Sequence, residues 1–495
     1  MKKTTAIIFL IAMMAGASAN AQYIPSRSEV ETDSLQKHVA ELAAAVYEGR
    51  LAGTRGYERA TDYVVASLKR YGVKPHNGEW LQWFETECNE VENCKFNSYY
   101  AGSDSKTVYI LGNDFACSGM TGRGYADAPV VFCGYGIDNP VFDEYASVDA
   151  KGKIVVVVTG VPMPNWIPSN ITEQYTSLRD KARAAQKHGA LALVAINLSR
   201  SCLPYEAQTR VYSGGLPHLA TFPILQPTRI CGESLLADEG WNIDTVLADM
   251  ARTMTPHSFH LRKHIEIDVN ARYRPKALTA NVVGVLEGTD KKLKKEYIIV
   301  GAHLDHVGMQ GETALFPGAD DNASGVAAAL EVARQLSKNR PKRSVVFVFF
   351  SAAENQYQGS QVFVSNFSPL RNIEAFINIE AVSSGDSILV YGDNKYPTLW
   401  QTAANADTTG IYLMAHPSAK SNPKGDAVAF DAIGIPSIVI TTLNGRQHNH
   451  VPSDIAENID RWILTESTRL LLGTVKELAY GDYQGRSLRS RAYKF

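Results

Sequence analysis

The stretch that most constrains the fold is residues 297–325, which read YIIVGAHLDHVGMQGETALFPGADDNASG. Its apolar start predicts a buried strand over residues 297–302, and His303 stands where that strand would end. Residues 320–322, Asp-Asp-Asn, are of the types that begin helices, and the apolar spacing after them predicts a helix. Ligands of open α/β sheets bind at the carboxyl ends of strands, so this stretch predicts an imidazole and carboxylates at the mouth of a site.

Three more apolar runs are followed by residues of the same ligand types. The runs cover residues 344–350, 375–379 and 437–441, and the residues that follow them are Glu354, Glu380 and His450. Histidine nitrogen and carboxylate oxygen suit a borderline cation such as zinc. Each motif alone fits a surface turn or a helix cap equally well. Ligand-type residues after four successive strands favour a metal site.

The motifs GAHLDH, GADDNASG, FVFFSAAENQYQGS, INIEA and HVPSD follow one another in this order. This order resembles the two-zinc exopeptidases of peptidase family M28, which include bacterial leucyl aminopeptidase and glutamate carboxypeptidase II. The resemblance implies an α/β fold with a mixed-sheet zinc exopeptidase core, phosphorylase/hydrolase-like and flanked by helices. It also implies a hydrolase that acts on peptides or proteins and holds two Zn²⁺ ions.

The resemblance assigns a role to each ligand-type residue. One zinc ion would be bound by His303 and Glu380, the other by Glu354 and His450, and both by Asp321. Asp305 would lie behind the metal ligands, where its carboxylate would accept a hydrogen bond from the ring of His303 and fix the tautomer.

Two positions depart from the family pattern. The family usually has Asp where this chain has Glu380, and it has a Glu-Glu pair where this chain has Ala353 and Glu354. The first Glu of that pair is the family's general base, so its position is taken here by Ala353. Losing a general acid or base typically slows a reaction by about 10²–10⁴-fold. His448 is an alternative source of a base.

Three functions therefore remain open. The first is a metallo-aminopeptidase that hydrolyses the N-terminal peptide bond with a zinc-activated water. The second is a catalytically impaired pseudopeptidase that binds metal and peptide without efficient turnover. The third is a cyclotransferase resembling glutaminyl cyclase, which shares the fold and would also need the missing acid.

The N-terminus predicts export. Residues 1–21 contain Lys2 and Lys3, an apolar run and an Ala-Asn-Ala end, which is typical of a signal peptide and too short for a membrane-spanning helix. We expect a periplasmic or extracellular protein. The charges nearly cancel, with 49 Lys and Arg against 51 Asp and Glu, so nucleic acid is not an expected partner.

The sequence predicts an insertion within the peptidase domain. After the signal peptide, residues 22–105 would form its N-terminal part, residues 266–482 its catalytic part, and residues 483–495 a basic tail. Between them, PVVFCGY, KGKIVVV and GALALV in residues 106–265 resemble a protease-associated domain, which is expected to cover the cleft.

Two further features allow alternative interpretations. The six cysteines include Cys88 and Cys94, the easiest pair to join by proximity in an oxidising compartment, whereas Cys117 and Cys133 fit free buried thiols equally well. GRLAGTRG at residues 49–56 predicts a loop between two helices, and Arg50 within it either serves that loop or lines the cleft.

Overall fold

The computed structural model describes residues 29–162, 167–175, 177–198, 216–237, 239–407, 421–446, 448–481 and 483. The predicted signal peptide, Cys202 and the basic tail beyond residue 483 lie outside these ranges.

Helices occur throughout the described part of the chain. In order they are α1 (Thr32–Leu42), α2 (Arg55–Arg70), α3 (Ser169–Gln174), α4 (Leu178–Lys187), α5 (Arg229–Leu236), α6 (Ile243–Thr253), α7 (Gly325–Lys338), α8 (Gln358–Asn366), α9 (Pro397–Ala406), α10 (Ala427–Ala432) and α11 (Arg461–Tyr480). Shorter helical segments cover Ala45–Arg50, Leu293–Lys295, Ala319–Ser324, Leu370–Asn372 and Ala456–Asn458. No described helix is both long and apolar enough to span a bilayer.

The strands are β1 (Lys74–Pro75), β2 (Leu81–Tyr100), β3 (Lys106–Val108), β4 (Phe115–Cys117), β5 (Gly124–Cys133), β6 (Asp138–Asn139), β7 (Phe142–Asp143), β8 (Ile154–Val158), β9 (Ala192–Ile196), β10 (Ile224–Pro227), β11 (Ser258–Leu286), β12 (Tyr297–His303), β13 (Met309–Gln310), β14 (Ala314–Leu315), β15 (Ser344–Phe350), β16 (Ile373–Ile379), β17 (Ser387–Tyr391) and β18 (Ser437–Leu443). The main path through their largest sheet is β17-β18-β16-β12-β15-β11-β5-β8-β9-β10-β4.

Parallel strands form the centre of the C-terminal part of the sheet. β18, β16, β12 and β15 pair in parallel, and β17 and the end of β11 close this group with antiparallel pairs. These strands are almost continuously apolar because helices cover both faces. Ile298 and Val300 pack in the cluster that contains α1, α7 and α11, whereas Ile299 packs with Phe363 of α8 and Phe430 of α10. The predicted mixed α/β sheet is confirmed.

The long strand β11 connects the sheet around β12 and β15 to the region around β5, β8 and β9. Its first part pairs with β5, its middle with β2, and its end with β15. The predicted boundary between residues 265 and 266 therefore falls inside a continuous strand. A separate hydrophobic cluster, with members from Val91 to Val269, surrounds β8 and β9. That this region is a protease-associated domain stays a prediction.

The described cysteines are free thiols, which excludes the alternative of a bridge between Cys88 and Cys94 in this structure. Both residues lie on β2, opposite Arg274 and Val269 of β11. Six residues of extended chain span about 20 Å, whereas bridged cysteines need Cα atoms within about 7 Å. The alternative reading of Cys117 and Cys133 as free buried thiols is confirmed.

The β8–β9 region contains a buried carboxyl group, on Glu144, and a buried amine, on Lys181, which influence each other's charge. The carboxylate of Glu144 accepts hydrogen bonds from the backbone N–H groups of Tyr135, at 2.9 Å, and Ile137, at 2.8 Å. Lys181 Nζ donates to the carbonyl oxygens of Tyr135 and Gly160. Burial raises the pKa of Glu144 to about 7 and lowers the pKa of Lys181 to about 8.

This pair predicts a pH dependence of stability. The folded-state pKa of Glu144 lies above its ordinary value of 4.5, so folding is favoured while the carboxyl is protonated. The contribution of Glu144 to the free energy of unfolding therefore falls as the pH rises from about 4.5 to 7. We expect Glu144→Gln to remove this fall, on the order of 2 kcal/mol, in denaturant titrations at pH 5 and pH 7. Glu58→Gln, on an exposed helix face, should keep the native pH profile, and an unchanged profile for Glu144→Gln would contradict the assignment.

Candidate metal centre

Parallel strands bring four predicted site residues to one edge of the sheet. β12 pairs with β15 and β16, and β16 pairs with β18. His303 is the last residue of β12 and Glu380 directly follows β16, while Glu354 and His450 lie in the loops after β15 and β18. Parallel strands have their carboxyl ends on the same side, so these side chains come from one end of the sheet.

The carboxylate of Asp321 lies between two imidazole rings. Its Oδ1 is 3.2 Å from Nε2 of His303, and its Oδ2 is 3.3 Å from Nε2 of His450. Glu354 Oε1 is 3.0 Å from the same nitrogen of His450. The structure thus brings four of the five predicted metal ligands into one cluster, and their roles as ligands stay predictions.

Glu380, the fifth predicted ligand, is engaged elsewhere. Its Oε1 accepts a hydrogen bond from Arg446 Nη2 at 2.6 Å, and its Oε2 lies 3.4 Å from the amide nitrogen of Asn378. Arg446 is a residue that the sequence analysis missed, because nothing in the loop sequence after β18 relates it to a strand end 66 positions earlier.

His306 is a second residue that the sequence analysis missed. Its side chain is fully buried, and neither ring nitrogen makes a hydrogen bond to any described atom. Nδ1 lies 3.5 Å from Glu354 Oε1 and 3.9 Å from Asp321 Oδ2. The sequence did contain a signal, since a second imidazole follows Asp305 directly.

These contacts define a group that could hold a metal ion. His306, Asp321, Glu354 and His450 each offer one ligand atom, and the four atoms lie within 4.8 Å of one another. In the described part of the chain, one other such group exists, formed by Asp138, Asp143 and His188. Its Asp138 already has an ion pair with Lys187 at 2.6 Å. Glu380 belongs to neither group.

Asp305 supports the site through the backbone. The family resemblance implied that the Asp305 carboxylate accepts a hydrogen bond from the ring of His303, but Nδ1 of that ring lies 3.0 Å from the Asp305 carbonyl oxygen and 4.0 Å from the carboxylate. The carboxylate instead accepts the N–H groups of Ala353, at 3.1 Å, and Glu354, at 3.2 Å. Asp305 therefore links the loop after β12 to the loop after β15. Burial raises its pKa to about 7.

A further buried carboxylate fixes the backbone of Asp321. Asp454, the last residue of HVPSD, accepts the N–H of Asp320 at 2.8 Å and the N–H of Asp321 at 3.1 Å. The side chain of Asp320 points away from the cluster and accepts hydrogen bonds from Ser383 and Ser384. Asp320 thus anchors a neighbouring loop, which leaves Asp321 as the carboxylate that faces the histidines.

Arg50 lies beneath the centre rather than in the cleft. Its guanidinium is fully buried and donates hydrogen bonds of 2.6–2.8 Å to the carbonyl oxygens of Leu42, Leu304, Pro317 and Gly318. It therefore connects α1 to the segments that follow His303 and precede Asp321. Of the two alternatives for Arg50, the structure supports a role in holding these loops.

The charged groups of the cluster stabilise one another. Burial alone would lower the pKa values of His303 and His450, but contacts with Asp321 and Glu354 outweigh it and hold both well above the ordinary value. At Asp321 and Glu354, contacts with the histidines outweigh burial and hold both pKa values well below the ordinary range. Burial lowers the pKa of His306, which favours the neutral ring. Ionised carboxylates and neutral imidazole are the forms that bind metal ions, so a metal ion bound by His450 would displace the proton that its raised pKa favours.

The position of the missing base holds only a methyl group. Ala353 is 5% exposed and lies beside Glu354 at the edge of the cluster. His448, the alternative base, has its Nδ1 in contact with Ser453 Oγ at 2.7 Å. Asp426 is a buried carboxyl that the sequence analysis missed, and burial raises its pKa to about 7.

The contacts of Arg50 predict a large effect on stability. Arg50→Met would leave four buried carbonyl groups without this donor, and we expect the free energy of unfolding to fall by at least about 3 kcal/mol. Denaturant titration measures the change. Arg59→Met is the matched control, because Arg59 is 44% exposed and its ion pair with Glu48 is at the surface, so its stability should stay close to the native value. Equal stabilities of the two variants would contradict the role given to Arg50.

Comparison with known proteins locates the sequence similarity. Residues 281–475 match the family described as Peptidase family M28. An aminopeptidase of Pseudomonas aeruginosa is 28% identical over 372 residues, which cover 71% of this chain and 56% of that relative. A probable lipoprotein aminopeptidase, LpqL, of Mycobacterium tuberculosis is 24% identical over 454 residues, covering 85% of this chain and 76% of that protein.

The fold resembles solved structures over nearly the whole chain. An aminopeptidase from Aneurinibacillus sp. strain AM-1 has a TM-score of 0.62 at 22% identity, covering 93% of this chain and 97% of its own. BSAP, a zinc aminopeptidase from Bacillus subtilis, has a TM-score of 0.64 at 19% identity, covering 94% and 98%. The predicted resemblance to peptidase family M28 is thus confirmed over residues 281–475, and the fold is shared with solved aminopeptidases.

Proposed function

We propose that this chain is a metallo-aminopeptidase of the M28 type, which hydrolyses the peptide bond after an N-terminal residue. The observation that carries the proposal is the cluster of His306, Asp321, Glu354 and His450 at the carboxyl edge of the parallel strands. The family match over residues 281–475 supports it. The names of the two relatives, both aminopeptidases, favour action at the N-terminus of a peptide or protein substrate.

We propose zinc as the metal ion. Imidazole nitrogen and carboxylate oxygen are ligands that zinc takes in proteins, and BSAP is a zinc aminopeptidase by its title. When bound, zinc polarises a carbonyl group and lowers the pKa of a water molecule. The family resemblance implies two ions, whereas the donor set of this chain fits one ion better.

The chain's own residues hold the centre and leave one side accessible. Asp305 fixes the loop that contains Glu354, and Asp454 fixes the backbone of Asp321. The side chains of Glu354 and His450 are 17% and 15% exposed. A peptide therefore approaches from the side of these two residues, with the sheet behind them.

Proton transfer is the step for which this chain lacks the family's catalytic residue. Hydrolysis requires a group that takes a proton from water and delivers it to the departing amine. Ala353 cannot do either, so we expect turnover about 10²–10⁴-fold slower than in a chain with a base at this position. Ala353 also favours the second candidate, a pseudopeptidase that binds metal and peptide without efficient turnover.

We also propose that the protein is exported, to the periplasm or the extracellular space. The signal-peptide pattern of residues 1–21 supports export. LpqL, which is described as a probable lipoprotein, is a relative whose description is compatible with it.

The Ala353 position provides the test of the activity. We expect the native protein to cleave aminoacyl anilides slowly, Ala353→Glu to raise kcat by about 10²-fold or more, and His450→Ala to abolish cleavage. Ala353→Gln is the matched control, because glutamine has nearly the same size as glutamate but cannot shuttle a proton. The measurement is kcat for each variant on the same substrate panel.

Other outcomes distinguish the candidates. A native protein that binds peptide but cleaves none, and gains cleavage only in Ala353→Glu, would establish the pseudopeptidase. Release of ammonia from peptides with an N-terminal glutamine would favour the cyclotransferase. No cleavage by either the native protein or Ala353→Glu would overturn the aminopeptidase proposal.

A further inference from the structure

We propose that the centre holds one metal ion, bound by His306, Asp321, Glu354 and His450, and that the guanidinium of Arg446 replaces a second ion. The inference deepens the proposed function and rests on its claim that the cleft binds metal. It differs from the family pattern in two respects, since that pattern gives no role to His306 and assigns Glu380 to a second ion.

The environment of His306 carries the first half of the proposal. The ring is completely buried, yet neither nitrogen makes a well-formed hydrogen bond in the described structure, and the contact of Nδ1 with Glu354 Oε1 is long, at 3.5 Å. Buried polar atoms are nearly always satisfied, so each exception requires an explanation. Nδ1 faces the carboxylates of Asp321 and Glu354. A cation between these groups would give the ring nitrogen its partner.

The distances fit a single tetrahedral ion. Zinc lies about 2.0–2.2 Å from nitrogen and oxygen ligands, which places neighbouring ligand atoms of a tetrahedron roughly 3.3–3.6 Å apart. His450 Nε2 lies 3.0 Å from Glu354 Oε1 and 3.3 Å from Asp321 Oδ2. His306 Nδ1 lies 3.5 Å and 3.9 Å from the same two oxygen atoms. These are four of the six edges of the tetrahedron, and they bracket the expected length, while all four ligand atoms lie within 4.8 Å of one another.

Arg446 carries the second half of the proposal. A second ion would need Glu380 beside His303 and the other oxygen of Asp321, but the guanidinium is 2.6 Å from Glu380 Oε1. Arginine does not lose its proton in proteins, so its positive charge opposes a divalent cation at this position. The backbone N–H of Arg446 donates to Ser384 Oγ, which in turn donates to Asp320. The loop backbone at Arg446 is therefore anchored, and its guanidinium pairs with the carboxylate that a second ion would need.

Four protein ligands have a chemical consequence. Catalytic zinc sites keep one position open for water or substrate, whereas sites with four protein ligands are closed. If His306 were a fourth ligand, the site would keep no open position for a water molecule or a substrate carbonyl. Together with Ala353, this arrangement makes the centre a slow hydrolase or a peptide-binding site.

Metal titration of the protein tests the proposal. We would remove metal with a chelator, titrate with Zn²⁺ by calorimetry, and count bound zinc by mass spectrometry. The native protein should bind one equivalent. His306→Gln should weaken binding by at least about tenfold, the lower range for loss of even an outer-shell partner. His303→Gln should still bind one equivalent, since His303 lies on the other side of Asp321.

Two controls keep the result interpretable if a variant folds poorly. Co²⁺ should give the native protein the visible spectrum of a four-coordinate tetrahedral ion. Arg446→Gln leaves His306 untouched and should bind a second equivalent, which should be lost again when His303→Gln is added. Thermal melts with and without Zn²⁺ verify that each variant is folded.

The outcomes separate this inference from the proposed function. Two equivalents in the native protein, or unchanged zinc affinity in a folded His306→Gln, would overturn the single-ion centre while leaving the aminopeptidase proposal intact. Failure of Arg446→Gln to gain an equivalent would overturn the role of Arg446. One equivalent without peptide cleavage would support the single ion and count against the hydrolase. No metal binding at all would overturn both.

Discussion

The position of the Asp321 carboxylate is the constraint on which the centre depends. One of its oxygens faces His303 and the other faces His450, which come from the ends of different strands. A negative charge in a buried position requires such partners, because burial without them is costly. Asp454 fixes its backbone, and Arg50 fixes the loops on both sides. The buried side chains of Asp454 and Arg50 thus both help to position the carboxylate of Asp321.

The sheet makes that arrangement possible. Its parallel strands have apolar residues on both faces, and helices cover both faces. Their carboxyl ends lie on one side of the sheet, and the loops that follow add the polar residues of the centre, with His306 and Asp321 both following β12. The continuous strand β11 extends the same sheet into the β8–β9 region, which ties the two halves together by backbone hydrogen bonds.

The sequence predicted the features that depend on local residue patterns and on the order of the strands. The apolar runs indicated the parallel strands, and their ends indicated His303, Asp321, Glu354 and His450. Long-range contacts were not predictable in this way. Arg446 reaches Glu380 through a loop whose path depends on tertiary packing. The unsatisfied ring nitrogens of His306 can be recognised only in the folded structure, where the ring is buried. Closeness in sequence did not indicate a bridge between Cys88 and Cys94, because the two residues are separated along an extended strand.

Anomalous diffraction from crystals grown with Zn²⁺ would test the single-ion centre most directly. The account predicts one anomalous peak, with ring nitrogens of His306 and His450 and carboxylate oxygens of Asp321 and Glu354 at about 2.0–2.2 Å, and Arg446 still paired with Glu380. Two peaks, with the second between His303 and Glu380 and the arginine displaced, would contradict it.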